Sequence, residues 1–283
     1  MAKGAGGFKM PTIEFIKKDP KSGRITLLLK DCDVSIANFL RRAVMDEVPT
    51  MAIDEVEFRK NDSVLYDEII AHRLGLLPLK TDLKSYTVRA NCKCGGKGCE
   101  RCTLILSLKA KGPTTVYAEE LKSEDPKVKP VFPRTPLVKL HKGQELELEA
   151  TAVLGTGAEH VKWSPCLAWY EYKPKVTVNN SHPKLAEFKN KYPPQIFKDN
   201  KIDTKLIEEL NLYDAVDGVN DEIIKVERDQ RNFIFYLEPW GQLSPKEILI
   251  SAIERYEQKM DEFEEKLSAA KGVEARAGVA EPG

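Results

Sequence analysis

Residues Asp33 to Leu79 read DVSIANFLRRAVMDEVPTMAIDEVEFRKNDSVLYDEIIAHRLGLLPL, a stretch that organises the rest of the chain. In its first third Ile36, Phe39, Leu40 and Val44 recur at the three-and-four spacing that puts apolar side chains on one helix face. Asp33 or Ser35 is placed to cap the N-terminus, and Pro49 stops the continuation. Arg41 and Arg42 are adjacent mid-helix and so point in different directions around the axis. Met51 and Ile53 then alternate, and Val56 and Phe58 alternate in the opposite phase. A one-residue slip at Asp54 and Glu55, either a bulge or a change of strand, is required between them. Asp67 to Leu74 reads as a short helix with Gly75 as its C-cap.

Composition narrows the function. Among 283 residues Lys plus Arg and Asp plus Glu number 44 each, so the basic excess usual for a protein that grips duplex phosphates is absent. No apolar run is long enough to cross a bilayer, and the start lacks the apolar core of a signal peptide, so a cytoplasmic protein without membrane contact is expected. Six cysteines, four of them between Cys92 and Cys102, suit metal binding in a reducing compartment better than disulfides.

The cysteine loop is the strongest chemical signal. Cys92, Cys94, Cys99 and Cys102 supply four soft ligands, and Gly95, Gly96 and Gly98 supply backbone freedom for wrapping round an ion. Four thiolates fill a tetrahedral site, so one structural, closed Zn2+ is expected. Four thiolates also hold iron–sulfur centres, so spacing alone leaves iron open. His72, His141, His160 and His182 are scattered away from these cysteines. Cys32 is a lone packing thiol.

Around these landmarks the chain reads as strands at 13–15 and 25–29 joined by a Lys21–Gly23 turn, and a strand at 86–88. Another spans 103–108, and a half-exposed one with an acidic outer face spans 145–150. Gly155 to His160 is a turn, and 169–172 and 176–178 are closing strands. Phe233, Phe235 and Leu237 form a strand apolar on both faces. Ser244, Pro245 and Glu247 form a capping box that opens a long helix. Leu249, Ile253, Tyr256, Met260, Phe263 and Leu267 make a coiled-coil-like seam on it.

The blocks Ala37–Arg42, Glu47–Thr50, Ala52–Asp54 and Ala71–Leu79, with His160–Pro165 further on, resemble the RNA polymerase assembly subunits. These are the archaeal D subunit, the eukaryotic third-largest subunit and the bacterial alpha subunit. The resemblance implies an α+β fold with a discontinuous alpha-subunit-like dimerisation domain (9–50 and 223–268) and an inserted, mostly β domain (51–178) carrying the cysteine loop. It further implies a small degenerate ferredoxin-like insert (179–222) and flexible tails at 1–8 and 269–283. Many relatives hold an iron–sulfur cluster in that small insert. This chain has no cysteine after Cys166, so no cluster is expected.

The implied function is a non-catalytic scaffold in transcription that heterodimerises with a small L-type subunit. The pair is a platform for the large catalytic subunits and other small assembly subunits, without sequence-specific DNA binding. Candidate partner residues are Ile36, Phe39, Leu40, Arg41, Arg42 and Val44, with Phe233 and Phe235 and the seam residues. The competing reading is a stand-alone metal- or thiol-dependent redox protein centred on the four cysteines.

Overall fold

A computed structural model describes residues 11–277. Strands β1 (Thr12–Lys18) and β2 (Ile25–Lys30) precede helix α1 (Val34–Asp46), strand β3 (Thr50–Asn61) and helix α2 (Asp67–Gly75). Strands β4 (Leu104–Lys111), β5 (Thr114–Tyr117), β6 (Lys122–Ser123), β7 (Pro136–Leu140), β8 (Glu145–Gly155) and β9 (Cys166–Val178) follow. Then come α3 (Leu185–Phe188), β10 (Phe197–Lys198), β11 (Lys201–Ile202), α4 (Thr204–Glu209), α5 (Tyr213–Val216), β12 (Ile224–Pro239) and α6 (Pro245–Ala277). The architecture is mixed α and β, with several sheets. Two compact units divide it, and parts of β1, β2, α1, β9 and β12 fall in each.

One unit comprises 11–17, 26–37 and 170–235. Its sheet has the order β1-β2-β12-β9. Phe233 and Phe235 are buried on β12, and the Tyr170 and Tyr172 rings lie 5.7 and 5.0 Å from that of Phe233. The entry to α1 is capped as expected by Asp33, whose carboxylate accepts the Ser35 N–H at 2.9 Å. Residues 179–223 form a lobe with a core of its own, built on Tyr192, Ile196, Ile202, Ile207, Val216 and Ile223.

The other unit comprises Lys18–Ile25, Asn38–Trp169 and 236–277. Its principal sheet has the order β3-β8-β4-β6. β8 alternates as its sequence demands, with Leu146, Leu148, Ala150 and Ala152 facing the core. The phase change on β3 is a bulge: Ile53 pairs with Ala152 and Glu55 with Thr151, leaving Asp54 without an opposite residue. A second shift follows between Phe58 and Lys60. On the outer face Glu145 meets Lys60 and Lys111, Glu147 meets Lys109 and Glu149 meets Arg59, at 2.7 to 3.0 Å. These cross-strand charge pairs occupy the face that alternation leaves to water.

The turn after β8 is seated against the last turn of α1. The Ala158 N–H donates to the Asp46 carbonyl at 3.0 Å, satisfying a helix-end acceptor. Gly157 approaches so closely that a methyl there would collide with the Met45 carbonyl oxygen. At Gly155 a methyl would lie 2.5 Å from the Trp163 ring. Helix α6 opens with the expected capping box: the Ser244 N–H donates to the Glu247 carboxylate at 2.8 Å and the Glu247 N–H to Ser244 Oγ at 3.3 Å.

Three local expectations are corrected. Residues 86–88 form no strand, because the segment finds no ladder; Thr87 makes a single backbone bond to the Arg101 carbonyl at 2.8 Å. Gly75 is the last helical residue of α2 rather than a left-handed cap, and the cap position is Leu76 at φ −85°. Helix α6 runs on to Ala277, so residues 269–277, expected as tail, are helical. Ala269, Ala270 and Ala275 favour the helix, and one interior glycine costs only about 1 kcal/mol. The expected tail segments 1–8 and 278–283 lie outside the described residues.

Gly157→Ala is expected to destabilise the chain by about 1–3 kcal/mol through overpacking against α1, seen as a lower midpoint of thermal unfolding; an unchanged midpoint would show that the turn is free to move away. A pH test addresses the outer face of the sheet. Hydrogen bonds from Lys111 and Lys60 hold the Glu145 carboxyl down from 4.5 to about 2. Its stabilising effect is therefore complete above pH 4.5 and lost as the pH falls towards about 2. Glu145→Gln should flatten the fall of unfolding temperature across that window, and an unaltered slope would deny the ion pair a role.

Candidate metal centre and partner surfaces

The metal-site residues come together. The loop leaves the short helical turn at 89–91, and its first thiol, Cys92, follows a backbone bond from the Cys92 N–H to the Arg89 carbonyl at 3.2 Å. Gly95, Gly96 and Gly98 all take positive φ, at 66°, 78° and 86°, and fold the chain back on itself. All four sulfurs lie within 4.8 Å of one another. The closest separations are 3.6 Å for Cys92–Cys99 and for Cys94–Cys102, and 3.8 Å for Cys99–Cys102. A tetrahedron with metal–sulfur bonds of about 2.3 Å has sulfur–sulfur edges of about 3.8 Å. The donor set therefore fits one four-coordinate ion. The Cys99 N–H also donates to Cys102 Sγ at 3.3 Å, an interaction that favours the thiolate.

As thiols the four would not ionise together. The hydrogen bond with Cys92 lowers Cys94 to about 6, whereas burial pushes Cys102 up to about 12. Binding a cation must therefore expel protons that the fold otherwise retains, which makes occupancy sensitive to acid. Among the described residues no histidine or carboxylate joins the cluster, so its donor set is four sulfurs alone.

Sequence reasoning missed what ties this loop to the sheet. Arg89 reaches back to Glu55 on β3, Nη1 to Oε1 at 3.5 Å, beside the bulge. Asp54, the bulged residue itself, receives the Lys162 ammonium at 2.6 Å. Lys162 also donates to the Ile53 carbonyl at 3.2 Å and lies 4.2 Å from the centre of the Trp163 ring. Trp163 is held in turn by its Nε1–H to the Val153 carbonyl at 3.2 Å and by Thr50 Oγ1 donating to its carbonyl at 2.5 Å. The Asp54 phase break and the charged Lys162 beside a tryptophan were visible signals, but nothing in the sequence linked them across the intervening residues.

The partner candidates separate into two groups. Leu40, Val44, Phe233 and Phe235 are buried in the chain's own cores and offer no surface, a correction to their reading as contact residues. Ile36, Phe39 and Leu249 are half-buried. Arg41 is half-buried and donates through Nε to Asn38 at 3.1 Å, while exposed Arg42 sits 3.8 Å from Asp46. On α6, Ile253, Tyr256, Met260, Phe263 and Leu267 are all exposed, Phe263 most of all at 61%. The buried stripe of that helix is a different one, through Ile248 and Ala252. The Phe39 ring meets Tyr256 edge-on at 4.1 Å between centroids, and Lys259 bonds Glu47 at 2.5 Å, so α6 and α1 are held together at the seam's own Tyr256.

Comparison with known proteins gives this geometry its context. Residues 52–165 match the RNA polymerase Rpb3/RpoA insert domain. DNA-directed RNA polymerase subunit Rpo3 of Pyrococcus horikoshii is 38% identical over 267 residues, covering 93% of this chain and all of the relative. The Rpo3 subunits of Methanosphaera stadtmanae and Archaeoglobus fulgidus are each 35% identical, covering 88% and 90% of this chain and 96% and 97% of theirs. The chain belongs to the Rpo3 family of DNA-directed RNA polymerase subunits. It is thereby a subunit of the alpha/Rpb3 group of RNA polymerase subunits. The expected resemblance thus holds at the level of the family. Among the described residues no helix is long and apolar enough to cross a membrane.

Elemental analysis of the purified chain should find about one thiolate-bound metal ion, in keeping with a single four-sulfur site. Cys99→Ser with Cys102→Ser should remove it and speed amide exchange over 89–103, while the circular dichroism of the sheets persists. Retention of the ion by the double variant would rule out this donor set.

Proposed function

We propose that this Rpo3-family chain is the scaffold on which its polymerase assembles, pairing with a small L-type subunit through the outer seam of α6 and the adjoining face of α1. Residues 9–50 with 223–268 act in this reading as the dimerisation domain. Residues 51–178 are the inserted domain, and 179–222 a degenerate ferredoxin-like insert without cluster ligands. The observation that carries the reading is the row Ile253, Tyr256, Met260, Phe263 and Leu267, exposed on one helix whose other stripe is already buried. Such a row is costly to leave in water and suits a partner helix with a matching stripe. Covering half-exposed side chains of this size stabilises a complex by about 1 kcal/mol each. The resulting pair would form the platform for the large catalytic subunits and other small subunits, with Arg41 and Arg42 turned to carboxylates of a large subunit.

The ion of the cysteine loop is, in this proposal, one structural Zn2+ held by Cys92, Cys94, Cys99 and Cys102. It would fix the loop and perform no reaction, and a colourless metal-loaded protein is the corresponding expectation, since iron in the same site absorbs visible light.

Co-expression with the small L-type subunit tests the interface. The wild-type pair should co-elute as a heterodimer, and Met260→Glu with Phe263→Glu should weaken the pairing by about two orders of magnitude, through the cost of burying two charges. Co-elution that survives the double substitution would move the interface elsewhere. A wild-type chain that captures neither a small partner nor large polymerase subunits would overturn the scaffold reading itself.

A further inference from the structure

The lobe at 179–223 separates its charges along the chain. Residues 184–205 carry Lys184, Lys189, Lys191, Lys198, Lys201 and Lys205 against three carboxylates. Residues 206–222 carry six carboxylates and no lysine or arginine. The acidic part is partly compensated within its own unit: Asp214 and Asp217 pair with Arg228 at 3.0 and 3.4 Å, and Glu222 lies 3.1 Å from His182. The basic part is not. All six lysines are exposed, and among the described residues none makes an ion pair with a carboxylate. On the outer face of β8, by contrast, Lys60, Lys109 and Lys111 are matched by Glu145 and Glu147.

The arrangement is sharpest at the β10–β11 hairpin. Asp199 and Asn200 both take positive φ, 50° and 61°, the two-residue turn that brings strands together most tightly. Lys198 and Lys201 are consequently direct cross-strand partners. Like charges in that position repel, and the fold alone gains nothing from them. A third cation is held at the same turn, because Lys189 Nζ donates to Asn200 Oδ1 at 2.8 Å. The hairpin is also rigidly mounted. Ile196 and Ile202 are buried beneath it, and the Asn180 amide clamps Ile202 at both ends, accepting its N–H at 2.7 Å and donating to its carbonyl at 3.0 Å. With the backbone beneath them fixed and Lys189 already held, binding an anion costs less ordering than it would on a mobile loop.

We propose that Lys189, Lys198 and Lys201 on this hairpin form a docking site for an acidic protein segment, one that presents several Asp or Glu carboxylates in a short extended run. A peptide fits better than nucleic acid for two reasons. The chain has no net basic charge to hold a phosphate backbone over many contacts. The neighbouring aromatic faces are also engaged, Phe188 by Lys191 at 4.4 Å and Phe197 by Lys189 at 5.6 Å, and so are not open for stacking on bases. The site stands independently of the α6 seam, and its test does not involve the dimer.

The test is fluorescence anisotropy of the full chain with a labelled decaglutamate peptide, at low and then physiological ionic strength. Saturable, salt-sensitive binding is expected, weakened about tenfold by Lys198→Glu with Lys201→Glu. Lys198→Gln with Lys201→Gln keeps the hairpin without like-charge repulsion and should weaken binding by a smaller factor, at an unfolding temperature no lower than that of the wild type. The exposed pair Lys139→Glu with Lys142→Glu, which alters net charge equally, should leave binding intact. Absence of saturable binding by the wild type, or equal weakening by the Lys139 and Lys142 substitutions, overturns the proposal. So does tighter, equally lysine-dependent binding of a labelled thymidine decanucleotide, which would assign the hairpin to nucleic acid.

Discussion

Strand β3 must turn Met51 and Ile53 to the core and, further along, Val56 and Phe58 to the same core. A pleated strand with a period of two cannot do this without an extra residue. Asp54 is that residue, and much of the larger unit depends on it. The bulge keeps ten pairings with β8 in one ladder. It also turns a carboxylate outward beside the chain, where the Lys162 ammonium can reach it. Lys162 then covers the face of Trp163, whose ring lies against Gly155 at the end of β8. A slip in one strand is thereby locked by a residue more than a hundred positions later.

The same few residues anchor the metal loop. Glu55 follows the bulge and meets Arg89, and Arg89 hands its carbonyl to the first cysteine of the loop. The glycines make the loop able to close around an ion, but closure without an anchor would leave it free to pivot. The immediate start of β4 at Leu104, after Cys102, fixes the other end. An ion held by these four sulfurs would brace the loop between two strands, its coordination filled by protein ligands.

Much of this was readable from spacing. The capping box of α6, the cysteine quartet, the acid face of β8 and the phase break at Asp54 each rest on neighbours within a few residues, where local chemistry decides. Contacts at long range were not readable. Periodicity marks a helix stripe as apolar without saying what covers it. Leu40 and Val44 on α1 turned out to be core, whereas the seam on α6 stayed exposed, because the small residue Ala252 and Ile248 on another stripe let that helix pack. Tyr86, Thr87 and Val88 carry the side chains of a strand, yet strand propensity is a preference for a paired and half-buried surface, and none is offered there. Family resemblance supplied membership of an RNA polymerase subunit family, which no spacing in the chain could give.

The lobe at 179–223 carries no cysteine, and a segment this small must bury enough apolar surface to stay folded. It does this with Tyr192 and four isoleucines at 196, 202, 207 and 223, joined by Val216. The Asn180 amide closes the hairpin edge as a strand would. These contacts lie beneath the surface of the lobe, and the segregated lysines lie on its exposed polar side.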